Sequence, residues 1–200
     1  FDTTSAKMII WGGYAGESPL NTGGVFDATG GATGAWNSTR PPTSALPSAR
    51  SDATIVITGT KFIVWGGYDG KTALNTGGVY DYANNSWSAT TTTGAPSARR
   101  YHSALWTGSR MLIWGGYNES SYVNTGGLYD PTTDSWTTIT TTSAPSARAE
   151  HSHAWTGTQF IAWGGYNGSS YLDDGGVYTV STDTWSATQT TGKPTARKRA

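Results

Sequence analysis

Cysteine is absent from the 200-residue sequence, which excludes disulfides, thiolate metal sites and thiol nucleophiles together. Charge is also scarce. Thirteen Lys and Arg balance 13 Asp and Glu, for a formal net charge of zero. A nucleic-acid-binding surface requires a basic excess, so that class of partner is excluded, as is a polyanionic tail. Charged residues reach only 13%, about half of ordinary usage, and Ser, Thr, Asn and Gly must therefore cover the solvent faces. No window approaches about 18 consecutive apolar residues, so no segment inserts into a membrane as a spanning helix. Helical periodicity is missing too. With 27 glycines and 12% aromatics, the chain is neither a helical bundle nor a coiled coil.

What fills the sequence instead is repetition. The string Trp-Gly-Gly-Tyr starts at Trp11, Trp65, Trp114 and Trp163. Ten residues later comes a Gly-Gly segment beginning at Asn21, Asn75, Asn124 or Asp173, then a further tryptophan at Trp36, Trp87, Trp136 or Trp185. Each unit closes on Pro-Ser-Ala-Arg or Pro-Thr-Ala-Arg, ending at Arg50, Arg99, Arg148 and Arg197, 49 residues apart. The first unit is five residues longer at its centre, around Gly30, Gly31 and Gly34. Four units thus occupy about 1–50, 51–99, 100–148 and 149–200, as one domain or a segment of one.

Each unit reads as four short strands. The apolar runs Met8–Trp11, Phe62–Trp65, Met111–Trp114 and Phe160–Trp163, halted by Gly-Gly, predict a strand buried on both faces. Before it, Asp52–Ile57, Tyr101–Trp106 and Glu150–Trp155 predict a strand joined to it by tight turns at Gly59, Gly108 and Gly157. The Gly-Gly-Val-Tyr-Asp segment and the Trp-led, Thr-rich segment supply the third and fourth. Their link, such as Asp130-Pro131-Thr132-Thr133-Asp134, has turn chemistry. The expectation is an all-β chain, an antiparallel four-stranded meander used four times. One such sheet cannot bury both apolar faces alone, so neighbours must stack.

A period near 50 residues with Gly-Gly and Trp signatures resembles the kelch repeat family over essentially the whole chain. The resemblance implies a β-propeller whose four-stranded blades run outwards from a central channel. It further implies a binding platform, although a few kelch proteins are enzymes. Low charge and abundant Ser, Thr and Gly resemble bacterial secreted or surface kelch proteins, which sets the expected localisation. Aligning the units puts Phe1 midway through an innermost strand and Ala200 where the next would begin. Kelch propellers commonly carry six or seven blades. The expectation is therefore part of a larger ring or an oligomer-forming unit, with a closed four-bladed ring and half of an eight-bladed dimer as alternatives. An open ring leaves two apolar blade faces exposed and invites self-association.

In such a meander the loops after the second and fourth strands open on one side. That places Arg50, Arg99, Arg148 and Arg197 beside Tyr14, Tyr68, Tyr117 and Tyr166, with Glu17, Asp69, Asn118, Glu119 and Asn167 as variable neighbours. Kelch adaptors use this face for partners, and arginine pairs well with carboxylates. The candidate binding set is thus Arg50, Arg99, Arg148, Arg197, Tyr68, Asp69, Tyr117, Asn118, Tyr166 and Asn167. Four arginines at a strict period equally suit a structural duty, bridging adjacent blades through loop carbonyls, and the variable residues are then the better ligand candidates. Repeat-equivalent tryptophans read as packing, while Trp106 and Trp155, which Ile57 replaces in the second unit, face another blade.

No site for a metal or cofactor emerges. His151 and His153 share a sheet face, yet His102 stands at the position of His151, which favours a packing histidine. Asp27, Asp81 and Asp130 read as turn caps, Asp173-Asp174 is a weak Ca²⁺ signal, and Lys193, Arg197, Lys198 and Arg199 form a solvated basic stretch. Enzyme readings fare badly. The Tyr–Cys cross-link of galactose oxidase is impossible here. Ser181-Thr182-Asp183-Thr184-Trp185 lacks the glycine of a sialidase Asp-box, and no Gly-x-Ser-x-Gly or P-loop pattern occurs. The expected function is a non-enzymatic module that binds a protein or peptide. The alternatives are a carbohydrate-binding propeller, with Tyr122 and Tyr171 as extra aromatics, and a self-assembling structural unit with no small ligand.

Overall fold

The computed structural model describes residues 6–29, 34–39 and 45–199. They form a succession of antiparallel sheets whose order in space is their order in sequence. The first holds β1 (Lys7–Trp11), β4 (Gly23–Asp27) and β5 (Ala35–Ser38), with a two-residue ribbon of β2 (Tyr14–Ala15) and β3 (Ser18–Pro19) beside it. The second runs β6 (Thr54–Ile57), β7 (Lys61–Trp65), β8 (Gly77–Asp81) and β9 (Ser86–Ala89). The third runs β10 (Ser103–Trp106), β11 (Met111–Trp114), β12 (Gly126–Asp130) and β13 (Ser135–Thr138). The fourth runs β14 (Ser152–Trp155), β15 (Gln159–Trp163), β16 (Gly175–Thr179) and β17 (Thr184–Ala187). This is the expected meander. The partial innermost strand expected at residues 1–5, and the Gly30 and Gly31 part of the central insertion, lie outside the described residues.

β6, β10 and β14 adjoin across neighbouring sheets, so the first strand of each unit lies innermost. Each begins two residues later than the sequence suggested. Asp52, Tyr101 and Glu150 have φ of 52°, 59° and 56°, a left-handed conformation that cannot continue a strand. Among the described residues the sheets stack as an arc and do not close into a ring.

The core lies between sheets. One cluster joins Trp11 and Val25 to Phe62, Val64, Tyr80 and Trp87. The next joins Val56, Ile63, Trp65 and Val79 to Met111, Ile113 and Tyr129, with Trp106 packed against it. A third joins Leu112, Trp114, Leu128 and Ile139 to Phe160, Ala162, Tyr178 and Trp185, with Trp155 at its side. Both non-repeating tryptophans therefore face a neighbouring blade. β11 is buried along its whole length, as the apolar run requires. In β15 the pattern alternates, because no later blade lies over Ile161 and Trp163 among the described residues. The expectation of two buried faces fails there for want of a neighbour.

Polar contacts repeat with the core. The indole Nε1 of Trp87, Trp136 and Trp185 donates to the carbonyls of Thr39, Thr91 and Thr140 in the preceding blade, at 2.7, 3.0 and 3.0 Å. A proline of the preceding blade covers one glycine of the third strand. A Cβ on Gly78, Gly127 or Gly176 would come within 2.6, 3.1 or 2.5 Å of Pro47, Pro96 or Pro145, so the seam admits only glycine without a shift.

Asp134 ties this seam twice. Its Oδ1 accepts from the Tyr129 hydroxyl at 2.7 Å and, across the blades, from Thr91 N at 2.8 Å. Asp183 repeats both bonds with Tyr178 and Thr140. Asn85, at the equivalent place, accepts from the Tyr80 hydroxyl at 2.5 Å. All three have φ near 50°, where Asn and Asp are the tolerated side chains (45°, 48° and 51° for Asn85, Asp134 and Asp183). Asp134→Ala is expected to lose roughly 1–3 kcal/mol by stranding these donors, and Asp134→Asn much less. Urea unfolding of the two variants measures the difference; equal losses would mean that the acceptor geometry is unimportant.

Candidate functional site

The four arginines separate into two groups. The backbone of each is anchored to its own blade: Arg99 N donates to Leu74 O, and Arg99 O accepts from Gly67 N. The side chain then crosses the seam. Nη1 of Arg99 donates to Gly115 O and Thr125 O at 2.9 and 2.7 Å, Nη2 donates to Thr125 Oγ1 and Ser97 Oγ, and Nε donates to Ser97 O. Arg50 makes the same contacts with Gly66, Thr76 and Ser48. Arg148 reaches Gly164 O and Asp174 O, and where Thr would stand it pairs with the Asp174 carboxylate at 2.9 Å. Arg50, Arg99 and Arg148 are at most 1% exposed. Burial pulls the Arg50 and Arg99 guanidinium groups down to about 10, so both stay charged at neutral pH. These three side chains are out of a partner's reach and act as blade clamps. Arg197 alone is exposed, its Nε and Nη2 held by Thr195.

The other candidates do come to the loop face. Tyr117 packs against Tyr122 at 5.1 Å between ring centroids, Tyr122 meets Tyr166 edge-on at 5.6 Å, and Tyr166 packs against Tyr171 at 5.4 Å. Arg100 lies over Tyr68 at 4.3 Å and within 5.9 Å of Tyr117, so the row continues onto the second blade. Lys198 stands over Tyr166 and Tyr171 at 5.6 and 5.9 Å. Short bridges hold the rings in place, because Tyr117 and Tyr166 each pair with both a preceding residue and the next tyrosine. Asp69, Asn118 and Asn167 do different work. Their Oδ1 atoms accept backbone N–H groups two and three residues on, closing the loops. The N–H groups of Thr72 and Lys71 hold the Asp69 carboxyl below its ordinary range. Tyr14 is 50% exposed on β2, apart from the row.

The chain matches the KLHDC2/KLHL20/DRC7 kelch-repeats domain over residues 2–200. The chain belongs to the kelch-repeat family. Kelch repeats are generally protein-interaction modules, and the family is generally non-enzymatic. A probable serine/threonine-protein kinase of Dictyostelium discoideum is 31% identical over 85 residues, which cover 42% of this chain and 6% of that protein. This chain therefore spans only a small part of that protein's length.

One further repeat position, which the sequence pattern assigns to strand starts and a basic end, lies on the loop face. Asp52, Tyr101, Glu150 and Arg199 stand two residues after the repeated arginines, all with positive φ. From blade to blade Glu150 N donates to Tyr101 O and Arg199 N to Glu150 O, which places these residues around the inner end of the loop face. Glu150 pairs with Lys198 and Arg199, both at 2.7 Å. Burial pushes its carboxyl up, but the two cationic hydrogen bonds outweigh that and hold it below the usual range. Arg100 pairs with Glu119 at 3.3 Å. The signal was in the sequence: residues 51–52, 100–101, 149–150 and 198–199 differ in every unit directly after a motif that scarcely changes.

The remaining signals resolve as structure. His151 Nε2 lies 2.9 Å from Ser103 Oγ and its ring packs edge-on against Trp114; His102 does the same with Thr54 and Trp65 at 2.8 Å. His153 turns instead to Phe160. Asp173 and Asp174 face Lys193 and Arg148, so each acid already has a cation. Asp27, Asp81 and Asp130 accept backbone N–H groups within their turns and approach Lys7, Lys61 and Arg110. Among the described residues no three His, Asp or Glu side chains gather as metal ligands.

Proposed function

We propose that this kelch chain is a non-enzymatic module that binds a protein or peptide segment on the loop face of its second to fourth blades. One observation carries the reading: the row Tyr68, Arg100, Tyr117, Tyr122, Tyr166 and Tyr171, in which aromatic rings and a cation sit side by side on loops. Tyrosines in fixed positions give large amphipathic contact area for little lost entropy, and a guanidinium stacked on rings still presents N–H donors at its edge. A segment with acidic and aromatic side chains fits that surface. The histidine–hydroxyl pairs His151–Ser103 and His102–Thr54 have the composition of a base and nucleophile, but they are buried between blades, which supports the non-enzymatic reading.

Selection from a displayed peptide library tests this. Selected peptides are expected to lose about tenfold or more in affinity to the double variant Tyr122→Ala/Tyr166→Ala, with its melting little changed. Added salt should weaken them as well, because part of the attraction is to Arg100 and Lys198. Binding indifferent to these substitutions overturns the reading, as does saturation of the face by a neutral sugar with no salt dependence.

A further inference from the structure

One residue of the loop face holds a backbone conformation that its side chain disfavours. The loop after each Trp-Gly-Gly-Tyr string passes through a left-handed residue two positions past the tyrosine. In three units that residue is glycine: Gly16, Gly70 and Gly168, with φ of 64°, 94° and 98°. The third unit has Glu119 there, at φ 73°. Glutamate is disfavoured in this region, and strain that persists on a surface loop points to function. Room for the side chain exists in this unit. A Cβ on Gly168 would stand 3.0 Å from Tyr122, whose place in the second unit is taken by the smaller Ala73.

The carboxylate does not shape its loop. Asn118 N donates to Ser121 O, Asn118 Oδ1 accepts from the N–H groups of Ser120 and Ser121, and the Tyr117 hydroxyl donates to Glu119 O. The fourth unit makes the same bonds around Gly168, through Asn167, Ser169, Ser170 and Tyr166. The Glu119 side chain instead reaches Arg100, with Oε1 3.3 Å from Nε. The two residues also go together in the repeat. The residues bridged to Tyr68, Tyr117 and Tyr166 are Ser51, Arg100 and Ala149, and among these three units glutamate replaces glycine where that residue is arginine.

We propose that Glu119 is an internal ligand of Arg100, covering a subsite of the loop face that takes an aspartate or glutamate side chain of a bound peptide. This rests on the peptide-binding reading of that face. Arg100 suits the duty: it lies over Tyr68 at 4.3 Å, and among the described residues no hydrogen bond engages its Nη groups. The two side chains are 22% and 37% exposed, so the pair is weak enough to open. A neutral ligand side chain leaves it closed and draws nothing from Arg100, whereas an acidic one exchanges one carboxylate for another. Glu119 thereby sets how strongly the face prefers acidic segments.

Glu119→Gly and Glu119→Gln test this, with peptides selected from one displayed library on the wild type and on Glu119→Gly. Glycine restores the residue that suits this φ, so that variant should melt no lower than the wild type. A selected peptide with an acidic residue is expected to bind both variants about two- to fivefold more tightly, the range for freeing one cation from an exposed ion pair, and with a steeper salt dependence. Its amide analogue, Asn for Asp or Gln for Glu, should bind all three proteins alike, and Arg100→Ala should erase the difference between acid and amide. Selected peptides without acidic residues, or acidic ones that bind the Glu119 variants no better, overturn this inference alone. So does weaker binding with a lower melting temperature, the signature of a glutamate that props the loop. No peptide on either protein overturns the reading of the loop face and this inference with it.

Discussion

Replacing Arg99 by alanine is expected to destabilise the fold by roughly 3–5 kcal/mol, the range for removing one partner from a buried charged network. The guanidinium is fully buried and satisfies Gly115 O, Thr125 O, Thr125 Oγ1 and the Ser97 hydroxyl and carbonyl. Alanine would leave these acceptors dry and open a void between the second and third blades. Lysine cannot reproduce the planar fork, so Arg99→Lys should recover only part of the loss. Arg197→Ala should change stability by less than about 0.5 kcal/mol, because that side chain is exposed. Urea midpoints for the three variants decide the matter. If Arg99→Ala and Arg197→Ala unfold together, the clamp assignment is wrong. The contrast matters because the two side chains share a sequence motif and differ in burial.

Acid should unfold this protein earlier than its carboxylates alone would dictate. His102 and His151 are buried, and burial pulls both pKa values down from 6.5 to about 3, with Arg99 beside His102 and His153 and Arg148 beside His151 adding repulsion. Both rings are therefore neutral in the fold, while in the unfolded chain they take up protons below about pH 6.5. The unfolded state binds more protons between these limits, so stability falls as pH is lowered through that window and is unaffected by these groups above it. Well below pH 6.5 each histidine contributes a loss approaching about 1.4 kcal/mol per pH unit, which sums to roughly 3 kcal/mol for the pair between pH 6.5 and 5. The control is His102→Phe/His151→Phe, which keeps a ring against Trp65 and Trp114. Ser103 Oγ and Thr54 Oγ1 still have the carbonyls of Trp114 and Trp65 to donate to. Unfolding free energies at pH 7 and 5 should differ strongly for the wild type and little for the control. Equal slopes would show that the histidines are hydrated in the fold.

The repeat made the architecture legible before any coordinates. A Trp-Gly-Gly-Tyr string every 49 or 54 residues fixes strand order, and an apolar run stopped by Gly-Gly fixes which strand is buried. The same regularity obscured function. A position that repeats is equally suited to a ligand surface and to a seam, because both need the same residue in the same place, and spacing alone carries no record of burial. Arg50, Arg99 and Arg148 proved to be seam residues, whereas Tyr117 and Tyr166 reached the surface row. The variation after each arginine, from Asp52 to Tyr101 to Glu150 to Arg199, was visible in the sequence, yet its place around the inner end of the loop face was not.

The sequence by itself determined the all-β meander, its fourfold use and the turn-capping duty of Asp27, Asp81 and Asp130, because these depend on contacts within a few residues or on strict periodicity. Only the tertiary structure decided which side chains cross from blade to blade. Thr91 meets Asp134, and Thr54 meets His102, through the angle and offset at which one sheet lies on the next. Equivalent positions then acquire different fates: Trp87 is buried by the blade before it, and Trp36, at the same place in the repeat, is left half in water.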